Sequence, residues 1–452
     1  MHSLLQTELE RMAHIRLPVG PVHIGRVVAC DGGLIEVSGQ PAPLGSLCTV
    51  GSRTDDAALV AETIGFRSGN ALMLPLGDAG PLHPGAPVRV RIGAGGSSAG
   101  AVGVGDAYLG RAIDALGRPI DGGGPIRASR SWPLAGRREG ALAKGPITET
   151  FGTGVRAIDA LLPMGVGQRM GIVAGSGVGK TMLVDMAVRG CTADAVVVAL
   201  VGERAREVSD FVAKHRPEPG EARPPVAIIA EPADRAPNLR LRAAQYASAL
   251  AESMRQDGRR VLLVVDSLTR LAHAAREIAL LLGEPGAARG YPPSALAALT
   301  RLVERAGGSA STGGAVTGLY TVLADGDDPA DPVVDTARAI LDGHIVLSRE
   351  LAQRGQYPAI DIPASLSRAA GGLCDPDHAA AIARFRALAA DHADSRELVA
   401  MGAYREGSDA RIDEALRRAA ELAAFVAQDA GEQVDREAAI AALCALFEGD
   451  GA

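Results

Sequence analysis

The sequence contains few aromatic residues, which make up 3% of its 452 positions and include a single tryptophan, Trp132. Proteins that bind single-stranded nucleic acid without sequence preference stack bases on aromatic side chains, so this composition argues against that function. Positive charge is not in excess either, because 53 acidic residues outnumber 46 basic ones and the net charge is −7. The chain offers no general basic surface for nucleic acid or anionic lipid, and we expect no nucleic-acid partner.

Cysteine is also scarce, and long apolar runs are missing. The five cysteines are widely spaced and form no Cys-x-x-Cys pair. They are expected to be buried apolar side chains in a reducing compartment rather than metal ligands or disulfide partners. No apolar run reaches the roughly 18 residues of a membrane-spanning helix, and the first residues contain no apolar signal-peptide core. These features predict a cytoplasmic protein.

The N-terminal part of the chain divides into two segments. Residues 1–18 place Leu5, Leu9 and Met12 at helical spacing, which predicts a short amphipathic helix that binds a partner protein or packs on its own domain. Residues 19–95 contain short β-rich runs separated by turn signals such as Asp-Gly-Gly and Ser-Gly-Asn. This pattern is typical of a small antiparallel barrel.

The remainder predicts an α/β domain followed by helices. Residues 93–105 are rich in Gly, Ala and Ser and are predicted to be a linker. Residues 96–370 alternate apolar runs with helical patterns, which indicates a RecA-like domain with a mainly parallel sheet and crossover helices. Residues 371–452 predict a small helical domain. Its expected helices span residues 377–390, 412–429 and 436–448.

Residues 174–181, with the sequence A-G-S-G-V-G-K-T, are the most informative stretch of the chain. A glycine-rich turn that ends in Gly-Lys-Thr between a strand and a helix is the phosphate-binding P-loop. Its glycines let the backbone turn N–H groups toward the phosphates, Lys180 adds a positive charge, and Thr181 offers a hydroxyl to Mg²⁺. Ala174 replaces the first glycine of the usual pattern. The predicted nucleotide-binding residues are Gly175, Ser176, Gly177, Val178, Gly179, Lys180 and Thr181.

Two carboxylates follow apolar runs later in the same domain. Residues 261–265 end in Asp266, the pattern of an acid that holds Mg²⁺ at the carboxyl ends of parallel strands. Residues 196–201 lead into Glu203, and we expect their strand to lie next to the P-loop strand. A carboxylate there can orient and partly deprotonate an attacking water. The alternative is that Glu203 is an exposed loop acid, paired with a neighbouring arginine.

Several further motifs occur in a fixed order along the chain. They are Gly-Gln-Arg at 167–169, Gly-Glu-Arg-x-Arg-Glu-Val at 202–208, Asp-Ser-Leu-Thr-Arg at 266–270, Gly-Tyr-Pro-Pro-Ser at 290–294, Ile-Leu-Asp-Gly-His-Ile-Val-Leu-Ser-Arg at 340–349, Tyr-Pro-Ala-Ile-Asp at 357–361 and Ser-Leu-Ser-Arg at 365–368. Together they resemble the ATPase of flagellar and type III protein export, which is itself similar to the catalytic β subunit of the rotary ATP synthase. The resemblance extends from about residue 25 to residue 424.

The resemblance implies a role for individual residues. Glu203 would be the water-orienting base, Arg204 a support on the phosphate side, and Asp266 the acid that holds Mg²⁺. Tyr357 would stack on adenine, and Arg368 would be an arginine finger that reaches the γ-phosphate of a neighbouring subunit. One chain with both the carboxylate and the finger implies a homo-oligomer, and the ring of this family is a hexamer.

The resemblance also implies a cellular function and partners. Hydrolysis of Mg²⁺-ATP would drive chaperone release and protein export at the inner face of the bacterial plasma membrane. Residues 206–211 and the compact N-terminus favour a flagellar system over an injectisome. Residues 1–18 would bind a stator-like regulator, and the C-terminal helices a central stalk protein, cargo and chaperones, with the export gate as a further partner. Residues 290–294 would lie near the pore of the ring, or else form an ordinary proline-rich turn.

The sequence departs from the family pattern beside the expected adenine site. The synthase β subunit covers adenine with a further aromatic residue, whereas residues 428–431 here contain none, so the pattern leaves base selectivity open.

Two other functions fit the sequence less well. A Rho-like nucleic-acid translocase would need an aromatic, basic barrel, and residues 22–92 contain Phe66 as their only aromatic residue. A non-hydrolysing structural subunit would lack the carboxylate, and Glu203 is present.

Overall fold

The structure, a computed structural model, describes residues 24–39, 42–51, 59–77, 82–91, 100–137, 140, 143–216, 223–324 and 331–448. The chain forms two compact units, residues 1–99 and residues 100–452. The predicted amphipathic segment, residues 1–18, lies outside the described residues. The predicted boundary at residue 370 falls within the second unit and stays a prediction.

The first unit contains a closed six-stranded barrel. Its strands are β1 (Ile24–Asp31), β2 (Leu34–Ser38), β3 (Leu47–Val50), β4 (Leu59–Arg67), β5 (Asn70–Pro75) and β6 (Pro87–Val90). Neighbours pair antiparallel in the order β1-β2-β5-β4-β3-β6. Alternate residues such as Ile35 and Val37 are fully buried, because successive side chains of a strand point to opposite faces. The predicted antiparallel barrel is confirmed.

Two-residue turns set the register of two hairpins in the barrel. Gly32 and Gly33 join β1 to β2 with φ of 56° and 88°, and Ser68 and Gly69 join β4 to β5 with φ of 49° and 83°. Positive φ at both central residues matches the right-handed twist of the flanking strands. Both positions carry turn signals in the sequence.

The second unit is built on a nine-stranded sheet. The strands of this unit are β7 (Ala101–Val104), β8 (Ala112–Ile113), β9 (Arg130–Pro133), β10 (Thr150–Phe151), β11 (Met164–Gly165), β12 (Arg169–Ala174), β13 (Ala195–Val201), β14 (Val226–Glu231), β15 (Arg260–Asp266), β16 (Gly307–Gly308), β17 (Ala315–Leu323), β18 (Gly343–Leu347) and β19 (Ile360–Ser367). The sheet order is β19-β18-β12-β17-β15-β13-β14-β8, with β16 paired to β17. Its strands pair in parallel except for β19 on β18 and β16 on β17.

Helices connect and cover these strands. They are α1 (Arg156–Leu161), α2 (Lys180–Gly190), α3 (Ala205–Lys214), α4 (Pro237–Gln256), α5 (Leu268–Leu281), α6 (Pro293–Val303), α7 (Pro332–Ile340), α8 (Arg349–Gln353), α9 (Ala370–Leu373), α10 (Pro376–Ala400), α11 (Ala410–Val426) and α12 (Arg436–Ala445). Every residue of β13 and β14 is buried, as expected for parallel strands covered on both faces. The predicted α/β architecture with a mainly parallel sheet is confirmed.

The predicted linker at residues 93–105 is wrong in its second half. Residues 101–104 form β7, which pairs with β9, and Val102 and Val104 are buried. The glycine between them serves close packing rather than flexibility, because a Cβ at Gly103 would lie 2.6 Å from the Cβ of Ala128. Residues 93–99 lie outside the described part of the chain.

The C-terminal region is helical, as predicted, but its helix bounds differ. The first helix, α10, contains 25 residues and continues to Ala400, ten residues beyond the predicted end at 390. Asp375, Asp409 and Asp435 cap the three helices by accepting hydrogen bonds from backbone N–H groups of the first turn. Among the helices of the described residues, none combines the length and the apolar character needed to cross a membrane.

Candidate functional site

The P-loop follows β12 and leads into α2, which begins at Lys180. Gly177 and Gly179 adopt left-handed conformations with φ of 78° and 93°. Glycine enters this region without steric cost, and the turn aims backbone N–H groups at a bound anion. Gly175 does not have a positive φ, so the predicted conformational need for glycine applies to two of the three positions.

Three predicted residues meet at the carboxyl ends of the parallel strands. The ammonium group of Lys180 donates a hydrogen bond to Oδ1 of Asp266 and another, at 3.3 Å, to Oε1 of Glu203. Each of these three side chains is at most 11% exposed. They come from α2, from the end of β15 and from the loop after β13, so the sheet brings together groups that are 23 and 86 residues apart in sequence.

The neighbour predicted for the strand that leads into Glu203 is wrong. β13 is separated from the P-loop strand β12 by β17 and β15, so the two strands are not adjacent. Glu203 still reaches Lys180, because Lys180 extends from the start of α2 across the intervening strand ends. The alternative of an exposed loop acid is excluded, since the Glu203 side chain is 11% exposed and pairs with Lys180.

The electrostatics of the cluster favour proton exchange at Glu203. Burial and the nearby Asp266 carboxylate raise the pKa of Glu203 to about 7, against the opposing effect of Lys180. Burial acts to lower the pKa of Lys180, but the Asp266 and Glu203 carboxylates outweigh it and raise that pKa. One ammonium charge is thus shared between two carboxylates. A carboxyl group that titrates near neutral pH is well matched to general-base chemistry.

Asp266 is oriented by a residue that no sequence motif marks. The hydroxyl of Thr321 donates a 2.6 Å hydrogen bond to Oδ1 of Asp266, and Thr321 is fully buried. It lies on β17, the strand that pairs with β15. Thr321 directly follows Tyr320, which pairs with Val265 of β15. Only knowledge of the strand order would have identified it.

Thr181 and Asp266 fit the predicted binding of Mg²⁺. Oδ1 of Asp266 is bonded to Lys180 and Thr321, whereas its Oδ2 has no hydrogen-bond partner among the residues that the structure describes. Thr181 is the second residue of α2 and is exposed. Hydroxyl and carboxylate oxygens are hard ligands of the kind Mg²⁺ prefers, in combination with substrate phosphates.

The predicted phosphate-side residue Arg204 does not join the cluster. Its side chain is 87% exposed, and its guanidinium lies 3.7 Å from Glu207. Gly202, in contrast, is required by its surroundings: its φ is 69°, and a Cβ there would lie 2.9 Å from the Cβ of Arg270. The Arg270 side chain therefore packs closely against Gly202, the residue before Glu203 in the sequence, and sequence reasoning gave this contact no role. The predicted role of Arg204 stays a prediction.

Arg368 lies far from the P-loop of its own chain. β19 runs antiparallel to β18, so Arg368 follows it at the amino ends of the parallel strands. There its backbone N–H donates to the carbonyl of Asp342, whose own N–H donates to the carbonyl of Arg169 at the start of β12. The length of β12 from Arg169 to Ala174 corresponds to roughly 16 Å. The exposed Arg368 side chain cannot span that distance to reach its own phosphate site.

Tyr357 lies against the P-loop and lines a cavity. A Cβ added at Gly179 would lie 3.3 Å from the Tyr357 ring. Tyr357 is 37% exposed. The cavity has a volume of about 430 Å³. Its lining residues are Met182, Gly355, Tyr357, Ala427, Gln428, Asp429, Ala430 and Glu432. Its size and position beside the phosphate loop suit a nucleotide base.

Residues 290–292 form a turn that leads into α6, and residues 293 and 294 begin that helix. Tyr291 is 6% exposed and stacks on His273 with ring centroids 6.2 Å apart, while the guanidinium of Arg276 lies 5.3 Å from the Tyr291 ring centroid. These contacts hold the turn on α5. Its predicted position near a pore stays a prediction.

Two family models match the chain. The model of the nucleotide-binding domain of the ATP synthase alpha/beta family matches residues 154–367, and that of the T3SS EscN ATPase C-terminal domain matches residues 374–445. The two matches cover the region that contains the Lys180 cluster and the helical region after it.

Relatives and solved structures extend the similarity over nearly the whole chain. The chain is 45% identical over 429 residues to the flagellum-specific ATP synthase of Salmonella typhimurium, covering 94% of this chain and 93% of that protein. It is 43% identical over 425 residues to the type 3 secretion system ATPase of Xanthomonas euvesicatoria, covering 94% of each.

The structure of the assembled ATPase EscN from the type III secretion system of enteropathogenic E. coli matches with a TM-score of 0.85 at 35% identity, covering 93% of this chain and 98% of that one. A structure of EscN in complex with its central stalk EscO matches with a TM-score of 0.82. The predicted resemblance and fold are confirmed.

Proposed function

Since this chain belongs to the family of flagellar and type III secretion export ATPases, we propose that it is the Mg²⁺-ATP-hydrolysing motor of a flagellar protein export apparatus. The observation that supports hydrolysis is the buried cluster of Lys180, Asp266 and Glu203 beside the P-loop. A buried carboxylate beside a P-loop, with its pKa raised by burial and by Asp266, supports hydrolysis over a purely structural role. An injectisome ATPase is the alternative, but nothing in the site favours it.

Binding of ATP would change the partners of Lys180. In the structure, the ammonium of Lys180 is shared by the Asp266 and Glu203 carboxylates. The phosphates of ATP would compete for that ammonium, because they carry more negative charge and are held by the P-loop N–H groups. Lys180 would turn to the phosphates, and both carboxylates would be released for other work.

Each released group then has a role in hydrolysis. Glu203 would accept a hydrogen bond from the attacking water and take its proton, as its pKa near neutrality allows. Thr181 and Asp266 would hold Mg²⁺, which supplies charge neutralisation at the phosphates. Thr321 would keep Asp266 in the orientation that this requires.

A complete site is proposed to need a second subunit. Arg368 lies at the amino ends of the strands and cannot reach its own P-loop, which supports a role at the site of a neighbouring subunit. Head-to-tail contacts close into a ring when the rotation between subunits allows it. We take the ring to be a hexamer, with Arg368 of each subunit completing the site of the next and Arg204 supporting the phosphate side.

The proposed partners would bind at two separate regions of the chain. Exposed Leu398, Val399 and Met401 at the end of α10 form an apolar tip that suits a central stalk, and Met401 is 71% exposed. Residues 1–18 are proposed to bind a stator-like regulator. The motor would act in the cytoplasm at the inner face of the plasma membrane, where it meets the export gate, cargo and chaperones.

Mixing two inactive variants tests the shared site. Glu203→Gln removes the base and keeps Arg368, whereas Arg368→Ala removes the finger and keeps Glu203. In randomly mixed rings about a quarter of the head-to-tail interfaces combine an intact base with an intact finger. We expect each variant alone to be inactive and the mixture to recover ATPase activity, measured by phosphate release at a protein concentration that gives rings by mass photometry.

Two outcomes would contradict the proposal. A mixture as inactive as its components would place the finger in its own subunit or exclude it from catalysis. A wild-type ATPase rate per subunit that does not change while rings assemble would contradict the proposed motor function. It would indicate a P-loop hydrolase that acts as a monomer.

A further inference from the structure

The segment after α11 forms one wall of the cavity beside the P-loop. We call residues 427–432 the base strap, because they supply most of that wall. Arg156 donates to the carbonyl of Ala427 at 3.2 Å and to the carboxylate of Glu432 at 2.7 Å. Arg189 of α2 donates to the carbonyl of Ala430 at 2.6 Å. The strap is thus attached to α1 and to the P-loop helix, although it contains no aromatic residue.

Gln428 is the most highly bonded residue of the strap. Its side chain is 4% exposed, and its Oε1 accepts a 2.8 Å hydrogen bond from the backbone N–H of Arg156. Its Nε2 donates to the carbonyls of Gly154 at 2.9 Å and Glu432 at 3.0 Å. Its own backbone N–H donates to the carbonyl of Tyr357 at 3.0 Å. Both donors of the amide are therefore used, and so is its acceptor.

We propose that Gln428 is a positioning residue for the nucleotide base. It fixes the strap against α1 and thereby holds Tyr357, whose carbonyl it binds, at a set distance across the cavity. This inference rests on the proposed function, because the position of Tyr357 matters only where a nucleotide binds. In a strap without an aromatic residue, the base meets one aromatic face, and the placement of that face decides the fit.

The chemistry of the site requires an amide. Glutamate keeps the shape and the acceptor but has no donor for the carbonyls of Gly154 and Glu432. An apolar side chain leaves those carbonyls and the Arg156 N–H buried without partners, which is the costly arrangement for polar groups.

Kinetics separate base positioning from chemistry. Gln428→Ala is expected to raise the KM for ATP about tenfold, because the two carbonyls and the Arg156 N–H lose their partner and no longer hold the strap in place. Its kcat should stay within about twofold of wild type, because no group at the γ-phosphate changes. Inorganic tripolyphosphate carries the phosphates without the base, so its inhibition constant should be the same in both proteins.

Matched variants identify the contact through which Gln428 acts. Gln433→Ala removes a neighbouring exposed glutamine that donates to the carbonyl of Arg189 at 3.2 Å, and it should leave KM unchanged. Tyr357→Ala should raise KM by itself. Adding Gln428→Ala to it should raise KM no further, because both changes remove the same interaction, that of the Tyr357 ring with the base. Should Gln428→Ala not fold, Gln428→Glu replaces it with the same expectation.

The outcomes distinguish the inference from the function on which it rests. Equal weakening of ATP and tripolyphosphate would show that Gln428 merely supports the P-loop, and additive effects with Tyr357→Ala would show that it does not act through Tyr357. An unchanged KM in an active variant would overturn this inference alone. A wild-type protein that hydrolyses no ATP would overturn the proposed function instead.

Discussion

Replacement of Glu203 by glutamine is expected to stabilise the nucleotide-free protein while it abolishes turnover. Burial and the Asp266 carboxylate raise the pKa of Glu203 from 4.5 to about 7, with the attraction of Lys180 already included. One pKa unit corresponds to about 1.36 kcal/mol. The ionised side chain therefore destabilises the folded state by about 3 kcal/mol at pH values above 7. Glutamine has the shape of the protonated carboxyl group and does not carry this cost.

The pH dependence of this effect has a definite sign. Because the pKa is raised in the folded state, the destabilisation is fully present above pH 7, decreases as the pH falls from 7 to 4.5, and is absent once both states are protonated. Thermal unfolding without nucleotide and Mg²⁺ should thus give a Tm for Glu203→Gln several degrees above wild type at pH 8. Near pH 5 the two proteins should unfold at nearly the same temperature.

A matched control and two refuting results complete this experiment. Glu421→Gln changes an exposed carboxyl on α11 and should not alter the Tm at either pH. A Glu203→Gln variant no more stable than wild type at pH 8 would refute the assignment of a costly buried charge. The same variant should lose roughly 10²–10⁴-fold in kcat, and a rate near wild type would refute the role of Glu203 as the base.

Three further results are expected. Arg368→Ala should lose turnover but keep its affinity for a fluorescent ATP analogue, whereas loss of binding would indicate misfolding or a role within its own subunit. Thr321→Val should raise the Mg²⁺ concentration for half-maximal rate about tenfold, measured by Mg²⁺ titration, because Asp266 loses the hydroxyl that orients it. For the wild type, kcat/KM should fall below pH 7 as Glu203 is protonated, and a profile that is flat from pH 8 to pH 6 would contradict the raised pKa.

The features predicted best from sequence are those whose chemistry lies within a few consecutive residues. The P-loop can be recognised in the sequence because its glycines, Lys180 and Thr181 lie close together, and the structure places two of its glycines in the left-handed conformation. The barrel can be recognised because short alternating strands are separated by turns such as Gly32–Gly33. In both cases the residues that form the sequence pattern are also the residues that the local structure requires.

Features that depend on sheet order or on long-range contacts were missed or misplaced. The neighbour of β13 was wrong because adjacency in sequence does not give adjacency in a sheet with crossovers. Thr321 carries no motif and meets Asp266 across 55 residues of sequence. Gln428 bonds to Gly154 across 274 residues, so no local pattern could have shown that it supports Tyr357.

The direction of one strand explains why hydrolysis should depend on assembly. β19 is antiparallel to β18 and ends at the amino ends of the parallel strands, so Arg368 and Glu203 lie at opposite ends of the same sheet. A parallel β19 would have ended beside the P-loop and placed Arg368 at its own site. Because the strand is reversed, head-to-tail contact is the arrangement that would join the proposed finger of one subunit to the carboxylate of the next. Each interface would then close around a nucleotide, and a subunit alone would carry both groups without being able to use them together.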